Sequence, residues 1–173
     1  MAEQLQAAEL KIFTSTQPQH FAAAADLIDS RDDNAHPLDR DAFFQARALV
    51  VAVNAQDELV GCAVIKAGRG VVGECGFLVV DKRYRRQGVA TKLTQLRIDV
   101  ARQMGIQLLY ATVRAENSAS RANLLKAGWQ FWGNYLSIRG TGNTIGWYYL
   151  VLGSKIDVNS QMLQLIGQRV AVM

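Results

Sequence analysis

Apolar positions along the chain change period in a way that sorts it into strands and helices. Val89, Leu93, Leu96, Val100 and Met104 recur at helical spacing, which predicts one apolar helix face from about residue 87 to 104. Gly105 follows, the residue type that a left-handed helix end favours. Residues 107–113 form a short, mostly apolar run that reads as a buried strand. Strand formers from Phe77 to Val80 precede the helix, so strand, crossover helix and strand make one parallel βαβ step, right-handed in nearly all proteins. A second helix is predicted from Asn117 through Ser120, Leu124 and Leu125 to Lys126, closed by Gly128, and Trp129 starts a further aromatic strand.

The other segments are shorter. Residues 10–13 read as a first strand, 18–28 as a helix with Phe21, Ala24, Ala25 and Ile28 on one side, and 39–46 as a short helix. Runs at 49–53, 59–67 and 71–80 are joined by turn signals at Asp57-Glu58 and Gly68-Arg69-Gly70, the pattern of antiparallel neighbours. Residues 136–139 and 144–152 pair across Gly140-Thr141-Gly142-Asn143. Met162, Leu163, Leu165 and Ile166 make residues 158–170 helical in pattern. The predicted fold class is therefore mixed α/β: a mostly antiparallel central sheet, splayed at one parallel βαβ step and flanked by helices. At 173 residues the chain fits one domain over 1–173, with a core of about 10–153. Its C-terminal extension, 154–173, packs on the domain or on a second copy in a homodimer.

Chemistry concentrates between strand 71–80 and the helix after it, in Val80-Asp81-Lys82-Arg83-Tyr84-Arg85-Arg86-Gln87-Gly88-Val89-Ala90. A strand feeding a basic turn that opens a helix aims several backbone N–H groups and a positive dipole end at one place. An anion docks there, and a phosphate or diphosphate fits best. Gly88 lets the main chain approach a ligand closely, Ala90 keeps the next turn small, and Arg85 and Arg86 add charge.

This turn reads Arg-x-x-Gly-x-Ala and resembles the signature of the GNAT superfamily, the acyl-CoA-dependent N-acetyltransferases. A second block, Asn117 followed by Gly128 and Trp129 eleven and twelve residues later, is similar to the family's pattern too. The resemblance covers about residues 10–153. It implies acetyl-CoA as acyl donor, with backbone groups of Leu78, Val79 and Val80 on the pantetheine arm and the thioester oxygen. It also implies that Arg85, Arg86, Gln87, Gly88, Val89, Ala90 and Thr91 hold the diphosphate. Asn117 is expected on a pantetheine amide, with Ser120, Arg121 and Lys126 as further cofactor contacts. One departure stands out: many members carry a proton-donating Tyr seven residues after the Asn, where this chain has Leu124.

Glu74 is the one acid in strand 71–80, sharing a face with Leu78 and Val80 if no bulge intervenes. Burial among apolar neighbours would raise its pKa towards a general base's range. Tyr135, Tyr148 and Tyr149 are candidates for the missing acid, with water as the alternative. Asp29, Asp32, Asp33 and His36 fall where the family's acceptor site is bordered, and Asp32 and Asp33 are candidates to bind the acceptor's ammonium.

Charge is uneven: residues 1–60 hold four Lys/Arg against ten Asp/Glu, and residues 61–173 hold fifteen against five. A polyanionic donor accounts for part of the basic portion, and a cationic acceptor suits the acidic one. Cys62 and Cys75 have neither metal-ligand nor redox-motif spacing; no metal is expected, and they read as two buried thiols on neighbouring strands that could face each other. No membrane span and no secretory signal are evident, so a cytoplasmic protein is expected. Three functions fit this sequence. The first is an acetyl-CoA-dependent N-acetyltransferase acting on a primary amine of a small molecule, peptide or protein. The second shares the fold but takes aminoacyl-tRNA, the one reading that brings in nucleic acid. The third binds CoA or a partner without turnover.

Overall fold

The computed structural model describes residues 9–31 and 37–173. Seven strands form one sheet, in the order β1-β2-β3-β4-β5-β7-β6, where β1 is Lys11–Ser15, β2 Ala48–Val53, β3 Leu59–Ile65, β4 Val72–Val80, β5 Leu108–Arg114, β6 Gln130–Leu136 and β7 Thr144–Val151. Every pairing is antiparallel except that of β4 with β5. That parallel ladder covers only Val72–Glu74 against Leu108–Tyr110, although both strands run on. The chain divides into two compact units, one built on residues up to Arg69 with Cys75–Met104, the other on Gly70–Glu74 with Gly105–Met173.

In the first unit, β2 is buried at all six positions. Alternation along the strand sends Leu49, Val51 and Val53 into one cluster and Val50 and Ala52 into another. Ala24, Ala25 and Ile28 of α1, Pro18–Asp29, cover the first, with Phe43 of α2, Arg40–Phe43. Val89 and Leu93 of α3, Val89–Gln103, cover the second. The predicted stripe on α3 holds from Val89 through Leu93, Leu96 and Val100, which lie in or pack against that second cluster, and fails only at Met104. The buried residues are Val89, Leu93, Arg97, Ile98 and Ala101, whereas Met104 is 39% exposed at the helix end. Position 97 falls four residues after Leu93, so an arginine occupies the buried face. Cys62 and Cys75 are buried free thiols that do not face each other: Cys62 lies opposite Val79 and Cys75 opposite Ile65. Burial pushes the Cys62 thiol up to about 12.

In the second unit, β7 lies between β5 and β6. The aromatic run after Trp129 forms β6, and of the strand expected at 136–139 only Leu136, the last residue of β6 and opposite Thr144, is a strand residue; 137–139 start the loop to β7. Gly140 and Gly142 there adopt φ of 72° and 77°, and Ser137 N donates to Asn143 O, closing the turn before β7 begins. The C-terminal extension packs on its own unit. Met162 and Ile166 of α5, Val158–Ile166, are buried with Leu108 and Trp147. The segment beyond pairs along β6 through Leu136 N to Val170 O and Val172 N to Asn134 O. α4, Ser118–Lys126, buries none of its residues.

Candidate active site

The basic turn of the first unit is a set of stacked local devices. Asp81 N donates to Val60 O, anchoring the end of β4. The Asp81 carboxylate then caps a single 3-10 turn, Lys82–Tyr84, by accepting from Arg83 N, and pairs with the Arg83 guanidinium at 3.1 Å. That guanidinium holds the Asp81 carboxyl below the usual carboxylate range. Tyr84 is buried and its hydroxyl accepts from Asn54, so the turn is pinned from below while Arg85 and Arg86 stay exposed. Arg85 Nε reaches back to Val80 O at 3.1 Å. Arg86 has φ 63° and Gly88 φ 81°, two left-handed residues on either side of Gln87.

Gly88 is the N-cap of α3 and offers no side-chain cap. The first intrahelical bond is Lys92 N to Gly88 O, so the amides from Gly88 to Thr91 precede any intrahelical acceptor. A Cβ built on Gly88 would meet nothing within 4 Å. Gly88 and Thr91 are exposed, Gln87 and Ala90 half-buried and Val89 buried.

β4 carries a bulge. Cys62 faces Val79 and Val64 faces Gly76, two steps on β3 against three on β4. Phe77 takes φ 52°, a conformation that costs a non-glycine residue about 1–2 kcal/mol. Its ring packs edge-on against Phe43 at 5.7 Å, under the Lys66 ammonium. After the bulge Leu78 and Val80 pack with the α3 cluster and Val79 with the α1 cluster. The bulge breaks the alternation, so a face shared by Glu74, Leu78 and Val80 cannot be read along this strand.

Glu74 belongs to the second unit, half-buried and opposite Tyr110. The Tyr110 hydroxyl donates to Glu74 Oε1 at 3.3 Å. Desolvation, then the Glu74 charge, raises the Tyr110 pKa well above that of a free tyrosine, so the hydroxyl keeps its proton. The Tyr110 ring stacks on Trp147 (5.6 Å, 5°), with the Arg169 guanidinium 4.9 Å from the indole and Tyr135 edge-on to it at 6.5 Å. Tyr148 is 1% exposed, and its hydroxyl accepts from Arg121 Nε at 3.0 Å. Tyr149 donates to Gln130.

Asn117 caps α4, its Oδ1 accepting from Ser120 N, which leaves the amide nitrogen as a donor. Ser120 is half-buried and Lys126 exposed, whereas Arg121 is committed to Tyr148 and to Ala115 O. Asp29 is engaged by Arg40 and by Leu38 N. Asp32, Asp33 and His36 lie outside the described residues.

The model of the GNAT acetyltransferase family matches residues 10–129, well over half of the chain. The chain belongs to the GNAT acetyltransferase family. A segment of 68 residues is 34% identical to N-alpha-acetyltransferase 30 of Schizosaccharomyces pombe, spanning 37% of this chain and less than half, 45%, of that relative. The fold is similar to that of the ribosomal-protein-S18-alanine N-acetyltransferase of Escherichia coli, at 19% identity over 86% of this chain and 99% of the other, with TM-score 0.66. It is likewise similar to a Salmonella typhimurium protein described as an acetyltransferase and solved with its cofactor acetyl-CoA, at 18% identity over 86% and 96%, with TM-score 0.70. Acetyl-CoA, the donor of this family, fits the turn on the observations above: leading amides that precede any intrahelical acceptor, an exposed Gly88 and two exposed arginines.

Sequence reasoning missed three features. The charge at 97 was readable, since it sits at helical spacing within an apolar stripe. Tyr110 as the partner of Glu74 depends on the parallel register, and Arg169 over Trp147 on how the tail folds back; neither leaves a local mark. Among the described residues no helix is long and apolar enough to cross a membrane.

Proposed function

We propose that the protein is an N-acetyltransferase that moves the acetyl group of acetyl-CoA to a primary amine by direct attack in a ternary complex. The observation that carries this reading is a helix start opened by an uncapped, exposed Gly88, where the amides from Gly88 to Thr91 precede any intrahelical acceptor. Acetyl-CoA, when bound, supplies the acetyl group as a reactive thioester. The amides of Arg86, Gln87, Gly88, Val89, Ala90 and Thr91 hold the diphosphate, and Arg85 and Arg86 add charge to the same anion. Main-chain groups of Leu78, Val79 and Val80 orient the pantetheine arm, and an N–H among them faces the thioester oxygen. Asn117 Nδ2 donates to a pantetheine amide, and Ser120 and Lys126 make further contacts.

Glu74 accepts the acceptor's proton on its carboxylate. The Tyr110 hydroxyl, which keeps its own proton, orients the carboxylate through Oε1 towards the amine or a bridging water. Leu124 cannot return a proton, so the leaving sulfur takes one from Tyr135, half-buried beside Trp147, or from solvent. Tyr148 is sealed beneath Arg121 and serves this role less well. The curated relative's name points to α-amino groups of peptides or proteins as the first acceptors to try; the acidic portion of the chain suits such cations.

Release of free CoA thiol from acetyl-CoA, followed with peptides, polyamines and aminoacyl-tRNA in turn, tests the proposal. Release that needs a primary amine and yields the acetylated amine supports it. Tight acetyl-CoA binding with no amine-dependent release would establish a non-catalytic binder instead.

A further inference from the structure

Arg97 stands on the buried face of α3 at 3% exposure, a position that helices of this kind fill with an apolar residue. A buried cation is costly unless an anion or several acceptors meet it. Among the described residues its guanidinium meets no carboxylate. Nη1 donates to Val64 O at 3.3 Å and to Gly76 O at 3.1 Å, and Nε is buried with no acceptor.

Those two carbonyls mark one particular place in the sheet. Val64 and Gly76 are opposed residues on β3 and β4, and they form the last register pair before the bulge at Phe77. The left-handed turn at Phe77 redirects the main chain beside Gly76, and the Gly76 carbonyl takes its hydrogen bond from α3. One planar nitrogen thus ties both strands at the point where β4 leaves its regular path. The segment that the bulge re-aims is Leu78–Val80, which packs onto the two clusters beyond it.

We propose that Arg97 is a positioning residue for acetyl transfer: from the α3 side it pins the Phe77 bulge, and so fixes the direction in which the amides of Leu78, Val79 and Val80 face the donor thioester. The inference rests on the proposed acetyl transfer for its kinetic consequence, and on the Val64–Arg97–Gly76 geometry for its structural one. Methionine matches the unbranched stem of the side chain as far as Nε but gives no donor and no charge. Lysine keeps the charge and a donor but lacks the planar fork.

The test uses the full-length chain with Arg97→Met, Arg97→Lys and, as a control for general loss of packing, Ile98→Ala on the same helix. Amide hydrogen exchange, measured without ligand, should quicken by about tenfold or more in residues 76–80 of Arg97→Met, with α1 and β2 unchanged and Arg97→Lys in between. In turnover, Arg97→Met should lose about 10²-fold in kcat while KM for acetyl-CoA and the Kd of CoA stay within about twofold, because a small misplacement of the reacting groups has that cost. Arg97→Lys should regain part of the rate, and Ile98→Ala should keep kcat near the parent value. Unchanged exchange at 76–80, a kcat loss matched by weaker CoA binding, or an equal kcat loss in Ile98→Ala would overturn the inference. If the parent protein turns over no amine, acetyl transfer falls, and the exchange data still decide whether Arg97 holds the bulge. If Arg97→Met does not fold, Arg97→Lys and Arg97→Gln carry both arms.

Discussion

The turn at Gly88 presents main-chain amides, whereas the cluster around Glu74 works through side chains. In the first, each donor is set by φ and by its place before the first helical acceptor, so side-chain chemistry matters little once Gly88 and Arg86 are left-handed. In the second, a carboxylate gains direction from a tyrosine that its strand neighbour supplies, and that tyrosine is held by an indole stack. The contrast teaches where each region is vulnerable. Backbone sites fail when a substitution intrudes into the ligand's space; side-chain sites fail when a single hydrogen bond or proton is removed.

The largest effect should follow Gly88→Glu. The protein has room for the new side chain, so stability should fall only by the strain of a left-handed non-glycine residue, about 1–2 kcal/mol. Acetyl-CoA affinity, measured by calorimetry, should fall by roughly 10³-fold, since a carboxylate then faces the diphosphate. Retained affinity would show that these amides are not the binding element. Glu74→Gln should leave that affinity intact and lower kcat/KM by about 10²–10³-fold, most below the pKa of the acceptor amine. An equal loss at every pH would assign Glu74 to packing.

Tyr110→Phe sharpens the side-chain half of the contrast. Removing one hydrogen bond to a charged group should lower kcat/KM by about tenfold without changing acetyl-CoA binding. An activity equal to the parent's would mean that Glu74 needs no orientation. The smallest effect should come from Asp81→Asn, which keeps an acceptor for Arg83 N but loses the charge opposite its guanidinium. A carboxyl held low in the folded state contributes stability above its unfolded pKa and loses it as pH falls through the folded value. The variant should thus be slightly less stable at neutral pH, by little because solvent screens an exposed pair, with the gap closing in acid, as thermal melts at several pH values would reveal.

The same contrast explains what could be read without coordinates. A glycine at a helix start, a basic turn and an apolar stripe are local, and they leave marks in the sequence. Hence the α3 helix, its Gly88 opening, the Asn117 cap and the single parallel step were all legible. Phe77 was not, because no glycine flags its left-handed turn; tertiary packing of the ring against Phe43 holds it there. The strand expected at 136–139 stopped at Leu136 for a similar reason, since Ile138 looks like a strand residue yet is 72% exposed in a loop. Tyr110 and Arg169 meet their partners through register and chain reversal, which no spacing encodes. Arg97 differs from these: its position was visible, but an arginine in an apolar stripe reads as an interruption until its two carbonyl partners are seen.

The central claim is that the leading amides of α3 bind the donor's diphosphate, and amide-resolved NMR titration with CoA tests it most directly. The account predicts that the N–H signals of residues 86–91 shift together, with the same Kd that calorimetry reports. CoA binding of that strength with those signals unmoved would contradict it.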